Sequence, residues 1–346
     1  GALRMRPPIS MVLFTTLAGA GQGLLLVLFG VQLALQWGLA VPVTTALFLS
    51  GAALVLALCG AGLVAAAFHL GHPLRGWRAA ARWRTSWLSR EVIVLPVFMA
   101  VVSLWALAHW LGAPALALGA VASALALVLY LCTGMIYAAV KTIREWATPL
   151  TPLNFTVLGL ASGAALGAAL AAATAPALVP ALAWLALAAT IVGVVTRGGQ
   201  LWRNAMLEGG ATLQTAIGVR HPRIVRSSQG MMSHTFNDRE FSHGRTPSFV
   251  LTVRWTGVLL GFFVPIAVLS ATQGNIGASG LADGLSFVVV AMGLFGFGEI
   301  LSNLERGQDA AGRVKEYPFW VGQPEDIARI EAGHPTLAAA IDAGVA

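Results

Sequence analysis

The sequence predicts an all-α integral membrane protein with eight transmembrane helices, a long extramembrane loop after helix 6 and a C-terminal extramembrane tail. Three observations carry that expectation. Hydrophobic residues fill 57% of the 346 positions and charged residues only 10%, too few ions to cover a soluble surface. A helix needs about 20 apolar residues to cross the hydrocarbon, and eight stretches qualify: roughly 10–37, 42–68, 91–112, 115–140, 153–173, 176–196, 252–273 and 284–304. All 21 Lys and Arg residues, from Arg4 and Arg6 to Arg329, fall on one side of an eight-span path, and the opposite loops carry only Asp283. The short alternating segments of a membrane β-barrel do not occur.

By the positive-inside rule the basic side is cytoplasmic, together with both termini and the loops after spans 2, 4 and 6. The competing explanation is that the basic face marks a protein partner, and one face can serve both purposes. No small-residue cleavage site follows the first span, so no removable signal peptide is expected. Cys59 and Cys132 both lie inside spans and supply neither a disulfide framework nor enough thiolates for an iron–sulfur cluster. The chain therefore divides into helices 1–6 over 1–196, a partner-docking loop over 197–251, helices 7 and 8 over 252–304 and a tail over 305–346.

Span 1 contains Phe14-Thr15-Thr16 and then Gly19, Gly21, Gln22 and Gly23, small residues that let helices approach closely. Span 2 runs down to Phe68-His69, after which Pro73 opens a short surface helix with Arg75, Arg78 and Arg82 on one face. That helix belongs in the interface plane, with Trp77, Trp83 and Trp87 at headgroup level. For Arg75, Arg78, Arg82 and Arg84, lipid anchoring and partner docking are both open. Span 3 begins at Glu91 and carries Pro96, a kink position. Span 4 ends through Tyr130, Tyr137 and Lys141, and Thr148-Pro149-Leu150-Thr151-Pro152 makes a rigid turn into span 5. Spans 5 and 6, rich in Ala, Gly and Leu with almost no polar handle, read as scaffold or lipid-facing walls. From Arg197 to Phe249 the composition shifts, with seven arginines and three histidines, towards a loop that docks a soluble partner. Span 7 opens at Arg254-Trp255, span 8 carries Glu299, and Pro324-Glu325-Asp326 in the tail resembles a helix start.

Of seven histidines only His109 lies within a span, which excludes the paired mid-depth ligands of a membrane cytochrome b. Mid-span ionisable residues, the mark of a pump, are essentially missing. His72, His221, His234 and His243 lack metal-site spacing. Redox or proton chemistry is thereby confined to the basic surface, where His69, Arg75, Glu91, Tyr137, Lys141 and Glu299 can converge. A quinone site needs a donor to polarise a carbonyl oxygen and an acid with a route to water, roles open to His69 and Glu91. The plainer alternative is that these two residues only end their helices. Lys141 and Glu299 are either an ion pair or snorkelling ends, and Tyr130 and Tyr137, a heptad apart, are either core or pocket lining.

At Phe14-Thr15, His69-Leu70-Gly71 with Pro73 and Arg75, Leu88-Ser89 with Glu91, and Trp146 with Thr151-Pro152 and Phe155, the chain resembles the DMSO reductase membrane anchor (DmsC-like) family. The resemblance covers the first half well and the second half mainly in span count. It implies an inner-membrane subunit with no haem or iron–sulfur cluster of its own. Partner subunits would supply molybdopterin and iron–sulfur clusters, a quinone (ubiquinone or menaquinone) would be the bound substrate, lipids would surround the bundle and nucleic acid would play no part. His69 and Glu91 match the family's quinol-site histidine and acid, with Arg75 and Tyr137 as further quinone-binding candidates. The basic loops on the same side favour cytoplasmic sulfite oxidation with quinone reduction. A DMSO-type reductase anchor oxidising menaquinol is the alternative, and a transporter or lipid-handling protein is the rival from another class.

Overall fold

A computed structural model describes residues 9–67, 73–141, 143–207, 246–263 and 265–267. All of these lie in the first of two units, Gly1–Gln308, and the second unit, Asp309–Ala346, is outside the described residues. Every regular element among the described residues is helical: α1 (Ile9–Gln36), α2 (Thr45–Ala67), a 3-10 surface helix (Pro73–Arg82), α3 (Trp87–Trp110), α4 (Leu116–Ala138), α5 (Leu150–Thr174), α6 (Val179–Ala205) and α7 (Pro247–Val258). Helices α1 to α6 correspond to six spans long and apolar enough to cross a membrane. The seventh predicted span is represented by α7 and a π-helical turn, Leu259–Phe263, whereas the eighth, with Glu299, and the tail lie outside the described residues.

Two boundaries differ from the sequence expectation, each for a local reason. Helix α3 starts at Trp87 and not at Glu91, because the Ser86 hydroxyl caps it by accepting from the Ser89 amide at 3.4 Å. Glu91 therefore sits a full turn inside the helix. Helix α6 does not stop at Arg197, where hydropathy ends, but continues to Ala205, so the first residues assigned to the docking loop are helical. The surface helix predicted to open at Pro73 is present and packs against α3. On the opposite side α1 and α3 close in the same manner. Gly38 and Gly112 adopt φ of 69° and 66°, with Leu39 donating to Ala34 O and Ala113 to Ala108 O, the glycine-terminated helix end that L side chains resist.

Helices α1 and α5 form the middle of the bundle. Helix α1 packs on α2, α4 and α5, and α5 on α1, α4 and α6. Lipid tails are as apolar as leucine, so burial alone does not hold such helices together and close van der Waals packing must. Small residues supply it where α1 meets α5: a Cβ at Gly23 would overlap the Gly159 carbonyl, and one at Gly163 would overlap the Gly23 backbone. The apolar side chains of the outer helices, among them Leu104, Leu107, Leu127, Trp184, Ile191 and Val195, face outwards, as hydrocarbon surroundings require. Of the two readings of spans 5 and 6, scaffold or lipid-facing wall, α5 takes the first, being one of the two most buried spans, while the expected scarcity of polar handles is corrected by a polar network at its junction with α6.

Candidate functional site

A small cleft opens among α1, α3, α4 and α5. Its lining is Phe14, Thr15, Ala18, Gly19 and Gln22 from α1, Glu91 from α3, Tyr130 and Thr133 from α4, and Phe155 from α5. The five α1 residues recur at helical spacing, so a single face of that helix forms one wall. Phe14, Glu91, Thr133 and Phe155 each lie four or five residues from the helix end nearer the arginine-rich loops, a depth of about 6–8 Å at ~1.5 Å per residue. Gln22 lies two turns further along α1.

Glu91 is 4% exposed, and its Oε1 accepts a hydrogen bond from the Thr133 hydroxyl across the α3–α4 contact. A carboxylate at that depth is expensive to keep unless it is used or bonded. The neighbouring Arg90 points the other way along the loop: it donates to the carbonyls of Trp83 at 3.0 Å and Arg84 at 2.9 Å, and its guanidinium lies 4.1 Å over the Trp87 ring. Arg90 thus fixes the loop that delivers Glu91. The Tyr130 hydroxyl donates to Gly19 O at 2.6 Å and ties α4 to α1 beneath the cleft. The Thr15 hydroxyl donates back to its own helix, to Met11 O and Val12 O. Gln22 is 3% exposed, and its Oε1 has no hydrogen-bond partner among the described residues.

Phe14 and Phe155 give the cleft aromatic walls. Phe155 is backed by Tyr137, stacked on it at 5.4 Å and 17°, and Tyr137 in turn meets Trp146 edge-on at 5.1 Å. Trp146 is held because Thr151 donates to its carbonyl at 2.8 Å, and a Cβ on Gly134 would overlap Pro152. The scattered Phe14-Thr15, Glu91, Trp146, Thr151-Pro152 and Phe155 therefore either line this cleft or brace its wall.

A second polar cluster joins α5 to α6. Gln200 accepts from Asn154 Nδ2 at 2.6 Å and from Arg197 Nη1 at 3.0 Å, and donates to Thr151 Oγ1 at 3.2 Å and to Glu145 O at 3.4 Å. The side chains of Gln200, Asn154, Arg197 and Thr151 are all at least nine-tenths buried.

Of the sequence-predicted site residues, Glu91 faces the cleft and Tyr137 stands one ring behind it. His69 lies outside the described residues; the backbone of Arg75 belongs to the surface helix. Lys141 is exposed, and Glu299 lies outside the described residues. Sequence reasoning missed Thr133, Gln22, Phe14 and Phe155 as lining. The available signal was the helical recurrence of Phe14, Ala18 and Gln22, which small-residue packing explained equally well. Among the described residues no group of three or more His, Cys, Asp or Glu side chains is placed to hold a metal ion.

Long apolar helices packed through glycines around a cleft with a buried carboxylate define a multi-pass membrane protein. Residues 5–221 match the family of the DMSO reductase anchor subunit (DmsC). Over 304 residues the chain is 43% identical to the C-subunit of sulfite dehydrogenase from Allochromatium vinosum, covering 84% of this chain and 93% of that protein. Over 113 residues it is 33% identical to anaerobic dimethyl sulfoxide reductase chain YnfH of Escherichia coli K12, covering 31% of this chain and 38% of that protein. The chain belongs to the DMSO reductase anchor family and is a membrane anchor of a molybdoenzyme complex.

Proposed function

We propose that this anchor exchanges electrons between an iron–sulfur partner subunit and the quinone pool, and that it does so in cytoplasmic sulfite oxidation. The observation that carries this is Glu91: a carboxylate 4% exposed, one helical turn from an arginine-rich surface, in a cleft with aromatic walls. Two electrons released when sulfite and water become sulfate would pass through the partner's clusters to a quinone, which takes up two protons and leaves as quinol. Aromatic walls suit a flat headgroup, and Glu91 with His69 would carry protons in from the aqueous side. Exposed Arg78, Arg82, Arg84, Lys141 and Arg144 give that side a positive face complementary to an acidic partner. The likeness to the sulfite dehydrogenase C-subunit over most of both chains favours sulfite as the catalytic partner's substrate. With the basic loops inside, the arrangement belongs to a bacterial inner membrane with cytoplasmic termini.

In membranes holding the whole complex, His69→Ala and Glu91→Gln should each abolish quinone-coupled sulfite oxidation while sulfite oxidation coupled to an artificial dye survives. Unchanged quinone-coupled turnover in Glu91→Gln contradicts the assignment. The likeness to the YnfH chain over about a third of this sequence supports a second orientation, an exported reductase fed by menaquinol. Protease accessibility of the catalytic partner from either face of the membrane separates the two.

A further inference from the structure

We infer that Gln22 is the inner hydrogen-bonding residue of the cleft, contacting the quinone-headgroup oxygen that lies away from Glu91. This rests on the quinone assignment above and adds to it a second, deeper recognition point.

The other polar side chains of the cleft have their protons committed. Thr133 gives its hydroxyl proton to Glu91, Tyr130 gives its own to Gly19 O, and Thr15 donates back into its own helix. Gln22 alone among them presents a buried acceptor, Oε1, without a hydrogen bond among the described residues, although the side chain is only 3% exposed. Glutamines elsewhere in the bundle do not behave in this way. Gln32 on the same helix accepts from Trp105 Nε1 at 3.0 Å, and Gln200 accepts twice and donates twice. A buried amide oxygen left unpaired carries a standing penalty, and the cleft that Gln22 lines is where a ligand would remove it.

The chemistry of the amide suits a redox couple. A quinone carbonyl only accepts hydrogen bonds, whereas a quinol hydroxyl also donates. The primary amide of Gln22 supplies Nε2–H to the first and Oε1 to the second by turning about its terminal torsion, with no proton transferred to or from the side chain. Proton traffic then stays with Glu91 and the aqueous end, and Gln22 holds the ring in both oxidation states.

Gln22→Met and Gln22→Leu test this in the intact membrane complex, with a short-chain ubiquinone analogue as substrate and Glu91→Gln as reference. The expected result is a loss of about tenfold in kcat/KM for the analogue, carried mainly by KM. Dye-coupled activity should be unchanged and thermal stability should not fall, because an apolar side chain replaces an unpaired buried acceptor. Unchanged kcat/KM in both variants while Glu91→Gln is inactive overturns the role of Gln22 and leaves the proposed function standing. Quinone-coupled activity falling only in step with the melting temperature also overturns it, as a purely structural effect. Full quinone-coupled turnover in Glu91→Gln overturns the proposed function and this inference with it.

Discussion

Gln22 and Gln200 are both almost completely buried in the same bundle, Gln22 midway along α1 and Gln200 near the basic end of α6, and their surroundings differ. Gln200 is the centre of a knot in which Arg197, Asn154, Thr151 and the Glu145 carbonyl all reach it, binding the loop after α4 to α5 and α6. Gln22 faces a cleft with aromatic walls, with its acceptor oxygen unused among the described residues. Where hydrocarbon surrounds the protein, polar side chains are retained either because they are bonded to one another or because something enters to bond them. The α5–α6 knot is of the first kind, and the α1–α3–α4–α5 cleft would be of the second if it holds the proposed quinone. Breaking the knot should harm assembly, and altering the cleft should harm turnover.

The largest expected effect lies in the knot. Gln200→Leu removes the hydrogen bonds to Arg197, Asn154, Thr151 and the Glu145 carbonyl at once and should cost about 3 kcal/mol of stability. The signature is a lower melting temperature in detergent and less anchor recovered from membranes, with most of the quinone turnover per recovered anchor retained, since Thr151 keeps its bond to the Trp146 carbonyl. Turnover per anchor falling as it does for Glu91→Gln would mean that the two regions are one functional unit. Next in size is the helix crossing that shapes the cleft. Gly163→Leu drives a side chain into the Gly23 backbone and should destabilise by about 1–3 kcal/mol, read as aggregation on extraction from membranes.

Thr133→Val is expected to act on the cleft without unfolding it. Loss of the hydroxyl that donates to Glu91 should lower quinone-coupled turnover about fivefold, with dye-coupled activity intact and Thr133→Ser restoring the rate. A valine variant with wild-type turnover would remove Thr133 from the site. The smallest effect belongs to the surface. Arg82→Ala with Arg84→Ala should weaken capture of the iron–sulfur partner about threefold at low salt and hardly at all at high salt, because exposed charges are screened. Co-purification across a salt series measures this.

Much of the bundle can be read from the sequence, because apolar length is the property a bilayer selects. The six crossings among the described residues fall where hydropathy puts them, to within a few residues except at two ends. Those ends differ because a charged residue need not terminate a helix. Glu91 sits past the Ser86 cap, and Arg197 donates within α6 to Gln200, which is bonded to Asn154 and Thr151 of α5 in a way that no linear pattern displays. The site is readable to the same degree. A lone acid at the start of a span stands out, so Glu91 can be singled out. Thr133 and Gln22 cannot, since a threonine and a glutamine within apolar helices gain meaning only when α1, α3 and α4 are brought together. The aromatic bracing of Phe155 by Tyr137 and Trp146 likewise depends on a turn geometry that the Thr148–Pro152 stretch hints at but does not specify.

Photolabelling the whole complex in membranes with an azido-substituted short-chain quinone, followed by peptide mapping of the anchor, locates the reactive end directly. If the cleft is where quinone sits, label falls on peptides around Phe14 to Gln22, Glu91 and Tyr130 to Thr133, and Glu91→Gln or excess unlabelled quinone reduces it. Label confined to α2 or α6, indifferent to both the substitution and the competitor, would contradict a quinone site in this cleft.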